Sequence, residues 1–201
     1  IYGITNSGTF YSINTSTGEI NTIGSSGIVT ATNAVAVNPD LGLGYFGSIR
    51  RVYWIDLRDG TTGVVGDVNV FGLLTNAAAS YLNGHLYLGP ETTGQMIEDL
   101  YRVKLTPDGK GFEGDAVNIS DGALPLGNFG DFIVLDGDVG SERFILSIFN
   151  NFNANLIIEY RANAPTYDLL HTIPSNNSSQ ITLDNQGNIW YFNNATNFLG
   201  K

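Results

Sequence analysis

The chain has 201 residues, of which 42% are hydrophobic and 11% aromatic, and 19 acidic against 9 basic side chains give a formal net charge of −10. This aromatic content excludes an unfolded chain, and the acidic balance argues against nucleic acid or an anionic membrane as a partner. The lack of cysteine excludes disulfide frameworks, thiolate metal sites and cysteine nucleophiles. No apolar run approaches the roughly 18 residues of a membrane span, so we expect no membrane insertion.

The N-terminal part reads as strands from its first residue, with neither an initiator methionine nor a signal peptide. We therefore expect a chain that is processed or excerpted from a longer protein. Residues 1–4, 10–13 and 19–23 are rich in Ile, Tyr and Phe and predict three short strands. They match the second, third and fourth strands of the units that follow, so the first unit lacks its inner strand.

From residue 30 onward one pattern recurs: an apolar strand runs into an Asn or Asp turn, and a second strand follows. The turn residues are spaced by 45, 53 and 48 positions, close to the roughly 40 to 50 residues of a propeller blade. They are Asn38, Asn83, Asp136 and Asp184. The second strands are predicted at 44–47, 85–88, 144–147 and 189–192.

Most of these units continue into a third and a fourth strand. The third strands are predicted at 52–56, 100–104 and 156–160, and the fourth strands at 63–66, 116–119 and 169–173. The last unit only begins its third strand, at 197–201. Four antiparallel strands per unit are typical of a propeller blade. The sequence thus predicts a single all-β domain, a β-propeller of about five four-stranded blade units, with the first and last partial: 1–29, 30–72, 73–124, 125–174 and 175–201.

The two partial units leave three alternatives for the ends. The ring closes at five blades, or the chain continues in residues beyond this sequence, or an unpaired end strand completes a blade in a neighbouring molecule. The third alternative predicts self-association, and repeated self-association would make a fibre.

Two stretches resemble a known group of repeats. Residues 1–20, IYGITNSGTFYSINTSTGEI, resemble the repeats of uncharacterised secreted or surface bacterial β-propeller domains, and residues 183–194, LDNQGNIWYFNN, are similar to their closing repeat. The resemblance implies an extracellular or cell-surface propeller. It brings no catalytic residue with it.

A ligand is expected on one face of the disc. The loops between second and third strands lie on the same face as the loops between blades, because strand direction alternates. Amides suit hydroxyl-rich ligands such as glycans, Phe stacks on sugar faces, and paired arginines clamp carboxylates. Turn geometry and surface ion pairs are the alternative explanations. The predicted ligand-binding residues are Arg50, Arg51, Glu91, Asn150, Asn151, Phe152 and Asn153.

Two further sets of side chains are candidates for a metal and for glycans. Asp136, Asp138 and Glu142 offer three carboxylates for calcium in a Gly-rich turn, although Gly140 stands at the third ligand position of the usual loop; a long hairpin turn is the alternative. No other cofactor is expected. Five N-x-[ST] sequons are glycosylation candidates: Asn14, Asn118, Asn176, Asn177 and Asn194. In a eukaryotic source, glycans are expected on Asn14, on Asn194 and on one of the adjacent pair, because these lie in predicted turns.

The sequence therefore favours a non-enzymatic extracellular or cell-surface propeller that serves as a structural, adhesive or binding module. It would act alone or as a subunit of a larger assembly. The alternative is a carbohydrate-active enzyme, a glycoside hydrolase or lyase, that uses a pair of acids on the loop-rich face. Candidate acids for it include Glu91, Asp131 and Glu159.

Overall fold

A computed structural model gives the architecture. It describes residues 1–5, 7–14, 16–28, 35–48, 50–68, 78–89, 99–120, 124, 128–150, 154–162, 164, 166–174, 179–183, 186–193 and 198–200. In these ranges the chain forms eighteen β-strands in five antiparallel sheets. The described residues contain no helix that is long and apolar enough to cross a membrane.

Each sheet takes its strands, in order, from one continuous stretch of chain. Sheet 1 contains β1 (Tyr2–Ile4), β2 (Thr9–Ile13) and β3 (Ile20–Ser25). Sheet 2 contains β4 (Val35–Asn38), β5 (Leu43–Ser48), β6 (Arg51–Asp56) and β7 (Thr62–Asp67). Sheet 3 contains β8 (Ala78–Leu82), β9 (His85–Gly89), β10 (Tyr101–Leu105) and β11 (Phe112–Asn118). Sheet 4 contains β12 (Asn128–Asp136), β13 (Arg143–Asn150), β14 (Ala154–Arg161) and β15 (Tyr167–Pro174), and sheet 5 contains β16 (Ser179–Leu183), β17 (Ile189–Asn193) and β18 (Phe198–Gly200).

The sheets are arranged as blades around a centre. Strand β4 packs on β8, β8 on β12 and β12 on β16, so the first strands of sheets 2 to 5 form the inner ring. The later strands of each sheet follow outward in an up-and-down order. The molecule is an all-β propeller, as the sequence predicts, and the first and last sheets have three described strands each.

The hydrophobic core is divided among the interfaces between neighbouring sheets. Phe10, Phe46 and Ile55 fill the interface between sheets 1 and 2. Tyr45 and Leu88 belong to the cluster between sheets 2 and 3. Two more clusters lie between sheets 3 and 4 and between sheets 4 and 5. Burial of a large apolar side chain contributes about 1.5–3 kcal/mol, so these interfaces hold the blades together.

The hairpin between β8 and β9 shows how the turn residues work. Asn83 has φ 48° and Gly84 has φ 79°, and Leu82 pairs with His85. Two residues of positive φ give the tight turn whose twist matches that of the strands. The turn predicted at Asn83 is confirmed, and Gly84 is its second residue.

Two strands are longer than their sequence patterns suggest. The sequence pattern places the apolar strand that runs into the Asp136 turn at 133–136, whereas β12 begins at Asn128. Strand β11 begins at Phe112 instead of Ala116. In β11 the register shifts opposite the segment between Arg102 and Lys104, and Gly114 has φ 84°. A bulge of this kind breaks the alternation from which a strand is predicted.

Candidate functional site

A cavity of about 280 Å³ lies where β1 approaches the inner strands of the last sheets. Its walls come from sheets 1, 2, 4 and 5 and include residues of the inner strands β4, β12 and β16. The lining residues are Ile1, Tyr2, Gly3, Ile4, Val35, Asp131, Gln180, Ile181, Thr182 and Trp190. We call it the central cavity.

The central cavity lies toward one face of the disc. Val35, Asp131 and Gln180 belong to the first halves of β4, β12 and β16. Each of these strands follows a segment that joins one sheet to the next. The cavity is therefore close to the face that carries the connections between sheets.

Asp131 connects two sheets at the cavity wall. Its Oδ1 accepts a hydrogen bond from the Phe132 N–H at 2.9 Å, and its Oδ2 accepts one from the Ile181 N–H of sheet 5 at 3.4 Å. Ser147 is its cross-strand partner, and the buried Ser147 Oγ has no hydrogen-bond partner in the described part of the chain. This wall is polar and carries a carboxylate group.

Sheet 5 contributes an aromatic ring and two hydrogen-bonding side chains. Thr182 pairs with Trp190 across β16 and β17, and Gln180 lies two residues before Thr182 on the same face. The neighbouring residues Ile181 and Tyr191 point the other way and pack against sheet 4. The cavity thus combines an indole with amide, hydroxyl and carboxylate groups, a set that suits a ligand with both a flat apolar face and hydroxyls.

A second groove of about 340 Å³ lies between sheets 2 and 3, beside the hairpins on the opposite face. Its charged side chains Lys104 and Glu113 form an ion pair of 2.8 Å with both groups largely exposed. The Tyr81 hydroxyl accepts a hydrogen bond from the Gly84 N–H at 3.1 Å. These polar groups of the groove thus form their contacts within the protein.

A buried polar cluster joins sheets 3 and 4. Glu142, in the turn between β12 and β13, is fully buried, and its Oε1 accepts hydrogen bonds from Arg102 Nη1 at 2.5 Å and from the Tyr87 hydroxyl at 3.0 Å. Its Oε2 accepts the Gly140 N–H at 2.9 Å. Burial alone would raise the pKa of Glu142, but the Arg102 guanidinium and the backbone donors outweigh it and lower this pKa. Burial, and then the charge of Glu142, raises the pKa of Tyr87.

The carboxylates predicted to bind calcium do not converge. Glu142 turns into the core, whereas Asp136 is exposed and lies 3.5 Å from Arg143. Asp138 is exposed, and its carbonyl accepts hydrogen bonds from the N–H and the hydroxyl of Ser141. Among the described residues, no group of three or more His, Cys, Asp and Glu is arranged to hold a metal ion. This turn is a hairpin fixed to the core by Glu142.

The predicted ligand-binding residues are only partly described. Arg50 and Arg51 are exposed at the turn between β5 and β6, and neither lines the central cavity. Asn150 ends β13, and its side chain lies outside the description. Four of the predicted residues lie entirely outside the described ranges: Glu91, Asn151, Phe152 and Asn153.

Two of the five sequons fall in described segments. Asn14 is exposed, and its Oδ1 accepts the Ser16 N–H at 2.9 Å and the Thr17 N–H at 3.3 Å in an open turn. Asn118 is exposed, but the hydroxyl-bearing Ser120 of its sequon is buried. Asn176, Asn177 and Asn194 lie outside the described residues. Glycosylation stays a prediction.

The sequence alone does not single out the cavity residues as a site. It offers Asp131 as a candidate acid of the alternative enzyme, and it assigns Trp190 and Thr182 to strands without a functional role. A usable signal exists: Val35, Asp131 and Gln180 each lie three to five positions before a repeat turn at Asn38, Asp136 or Asp184. These three residues line the central cavity.

The fold and the cavity define the class of protein, an all-β propeller with a polar central cavity. No protein-family model matches the sequence, and no curated protein matches it. Among solved structures, the chain is similar to TolB from Acinetobacter baumannii, with a TM-score of 0.54 and 14% identity over 99% of this chain and 51% of that one. It is also similar to the calcium-binding protein regucalcin from Agrobacterium tumefaciens, with a TM-score of 0.55 and 12% identity over 90% of this chain and 62% of that one.

These similarities show the fold alone. The chain spans about half the length of the TolB chain and about three fifths of the regucalcin chain. Both relationships support the propeller architecture that the sheet order defines.

Proposed function

We propose that this chain is a non-enzymatic binding module of a secreted or cell-surface protein and that it holds a small hydroxyl-rich ligand in the central cavity. One observation carries the proposal: Trp190 lies beside Asp131, Gln180 and Thr182 around a cavity of about 280 Å³. The flat indole provides a stacking surface for a sugar ring. The amide, hydroxyl and carboxylate groups provide both donors and acceptors for its hydroxyls.

The cavity volume supports a small ligand. Small-molecule pockets usually begin at roughly 300 Å³, so this cavity suits a single sugar unit better than an extended chain. A monosaccharide, or the terminal unit of a glycan, is the ligand that fits this size and chemistry.

The location is part of the proposal. It rests on the resemblance of residues 1–20 and 183–194 to repeats of secreted and surface propellers.

We also propose a structural or adhesive role in which copies of the chain associate with one another. Its support is the three-stranded state of sheets 1 and 5 in the described part of the chain. Sedimentation velocity over a concentration series tests for self-association, and a protein that stays monomeric throughout would rule this role out.

Glycoside hydrolysis requires two carboxylates that flank one bond. Among the described residues that line the central cavity, Asp131 is the one carboxylate. Glu159 lies on β14, two strands outward in the same sheet, and forms ion pairs with Arg143 at 3.7 Å and Arg161 at 3.1 Å. Binding without cleavage is therefore the function that the geometry supports best.

Tryptophan fluorescence tests the proposal directly, because the chain has only two tryptophans. In the Trp54→Phe variant, the emission comes from Trp190 at the cavity. We expect a saturable change in this emission on titration with glucose, N-acetylglucosamine or glucosamine, and no released product from a glycoside.

The Trp190→Phe variant is the matched control. It keeps Trp54 of sheet 2, whose ring lies under the Lys110 Nζ of sheet 3, so its emission should not respond to sugar. Calorimetry on this variant should show weaker binding, because stacking on the indole is reduced. Absence of saturable binding to every sugar, or cleavage of a glycoside, would overturn the proposal.

A further inference from the structure

We infer that two copies of this chain associate through β15, the outer strand of sheet 4, which pairs edge to edge with β15 of the second copy. The inference rests on the self-association proposed above and names the surface that carries it. It comes from the exposure of this strand, from a bulge within it and from the side chains that the bulge aligns.

Strand β15 is the longest of the outer strands and carries most of their exposed large hydrophobic side chains. All of its eight residues except Ile173 are exposed. Tyr167, Leu169 and Leu170 are 37%, 56% and 47% exposed, whereas the outer strands β3, β7 and β11 each expose one such side chain in the described part of the chain. Clustered apolar side chains at a surface are typical of a contact with another protein.

The same strand has a free edge. In the described part of sheet 4 the strand order is β12, β13, β14, β15, so β15 pairs with β14 on one side and has no neighbouring strand on the other. The N–H and C=O groups along such an edge form a template for a strand of another chain. Pairing of two β15 strands would join the two copies of sheet 4 into one continuous sheet.

A bulge in β15 places Asp168 and His171 on the same face of the sheet. Asp168 pairs with Glu159 and His171 pairs with Ile157, and the register shifts between these two pairs. Glu159 and Ile157 are two positions apart on β14 and therefore share a face. Their partners share it too, although three positions separate them, because Leu170 is the extra residue of the bulge.

A two-fold axis at Leu169 brings complementary side chains of two copies together. In an antiparallel pair related by an axis perpendicular to the sheet, equivalent residues stay on the same face, so Leu169 lies opposite Leu169 of the second copy. With the extra residue in each strand, Asp168 lies opposite His171 of the second copy, and the reverse pair forms as well. A carboxylate accepts a hydrogen bond from an imidazole N–H, and an apolar cross-strand pair stabilises a sheet.

The charge at Asp168 favours this register over others. An acid in an edge strand normally prevents pairing with a further strand, and here it would do so if it met another acid. Within its own sheet Asp168 faces Glu159, whose carboxylate is already matched by Arg143 at 3.7 Å and Arg161 at 3.1 Å. In the part of the chain that the structure describes, the side chains of Asp168 and His171 have no hydrogen-bond or ion-pair partner. Both are therefore available to a second copy.

Sedimentation velocity over a concentration series tests the surface. It is run at about 0.15 M salt, where repulsion between two acidic chains is largely screened. Leu169→Asp should weaken the association about tenfold, because two facing carboxylates replace the apolar pair. Val64→Asp is the matched control, since Val64 is 48% exposed on the outer strand β7. This control should associate as the wild type does.

The register is tested with two single variants, Asp168→His and His171→Asp. Alone, each should associate more weakly than the wild type, because imidazoles face imidazoles in the first and carboxylates face carboxylates in the second. In an equal mixture every pair of a mixed dimer again joins a carboxylate and an imidazole. Native mass spectrometry, with one variant ¹⁵N-labelled, should therefore show mixed dimers in excess over dimers of either variant.

The outcomes separate this inference from the proposed self-association. If the wild type associates and Leu169→Asp associates equally tightly, or if the mixture shows no excess of mixed dimers, the inference is wrong and self-association through another surface stands. If the wild type stays monomeric at every concentration, the proposed self-association fails and the inference with it. Should circular dichroism show Leu169→Asp unfolded, the mixture of the other two variants decides.

Discussion

Glu142 shows how a distant partner changes the meaning of an acidic residue. In the sequence it belongs to a Gly-rich turn with Asp136 and Asp138, a pattern that suggests calcium. In the structure its Oε1 accepts hydrogen bonds from Arg102, which lies 40 residues earlier in the chain, and from Tyr87, which lies 55 residues earlier. No local pattern contains that information, because the contact forms only when sheets 3 and 4 pack.

Removing the charge of Glu142 should destabilise the propeller strongly. In the Glu142→Gln variant the guanidinium of Arg102 loses its counter-charge at a site where its side chain is only 12% exposed. Breaking a buried pair in this way costs about 3–5 kcal/mol. Tyr87→Phe is the milder control, since it removes one hydrogen bond worth about 1 kcal/mol. Urea denaturation measures both, and a Glu142→Gln protein as stable as the wild type would contradict the assignment.

The same carboxyl group should make stability depend on pH. The pKa of Glu142 is lower in the folded protein than the ordinary value of 4.5. Its contribution to the free energy of unfolding is therefore complete above the ordinary value and is lost as the pH falls through the folded pKa. Asp56, whose pKa is lowered to about 2 by Arg58, acts in the same direction.

The difference between wild type and Glu142→Gln isolates the Glu142 contribution. Urea midpoints should be compared from about pH 3 to pH 7. The stability gap should be constant near neutral pH and should narrow below 4.5, the ordinary pKa. A gap that is independent of pH would rule out Glu142 as the source.

At the scale of elements, hairpins of one sheet dock on the preceding sheet. Gly60, in the hairpin between β6 and β7, has φ 76°, and a Cβ there would lie 2.9 Å from the Ile23 carbonyl oxygen of β3. Gly18, in the hairpin between β2 and β3, has φ 73° and open space around it. The two glycines differ only in whether a neighbouring sheet is in contact.

The pair Gly60→Ala and Gly18→Ala separates the cost of an alanine at positive φ from the cost of crowding against a neighbouring sheet. Gly18→Ala should cost about 1–2 kcal/mol, the penalty for an alanine at positive φ. Gly60→Ala carries the same penalty plus about 1–3 kcal/mol for the crowded contact with sheet 1. Denaturation of both variants checks the difference. Equal costs would show that the hairpin does not bear on sheet 1.

Strand and turn chemistry made most elements predictable. The apolar strand before Asn83 and the positive φ needed at Gly84 are properties of adjacent residues, so the sequence reveals them. The early start of β12 and the bulge at Gly114 depend on pairing with a neighbouring strand. The site was harder still, because Asp131 and Trp190 are 59 positions apart in the chain and come together only when sheet 5 packs against sheet 4.

Successive interfaces between neighbouring sheets hold the molecule together, and one strand contributes side chains to two of these interfaces. Phe144 and Ile145 are neighbours on β13, yet Phe144 packs toward sheet 3 and Ile145 toward sheet 5. Sheets 2, 3 and 4 are thus each buried on both faces. Such coupling favours a single cooperative unfolding transition.

The two tryptophans report on this cooperativity, because Trp54 lies in sheet 2 and Trp190 in sheet 5. Denaturation of Trp190→Phe and Trp54→Phe, followed by fluorescence, should give coincident midpoints once corrected for the effect of each substitution. Phe144→Ala should lower both midpoints together, by the shift that corresponds to a loss of about 3–5 kcal/mol in the free energy of unfolding. Separate transitions would show that the blades unfold independently.

The central claim, that the cavity at the centre of the propeller binds a hydroxyl-rich ligand, is tested most directly by nuclear magnetic resonance of ¹⁵N-labelled protein. Glucosamine is titrated while the two indole N–H signals and the backbone amides are followed. We expect the indole signal of Trp190 and the amides of Gln180 and Thr182 to shift and saturate together, while the indole signal of Trp54 stays in place. Shifts confined to Trp54 or to the groove around Tyr81, or no saturable shift at all, would contradict the account.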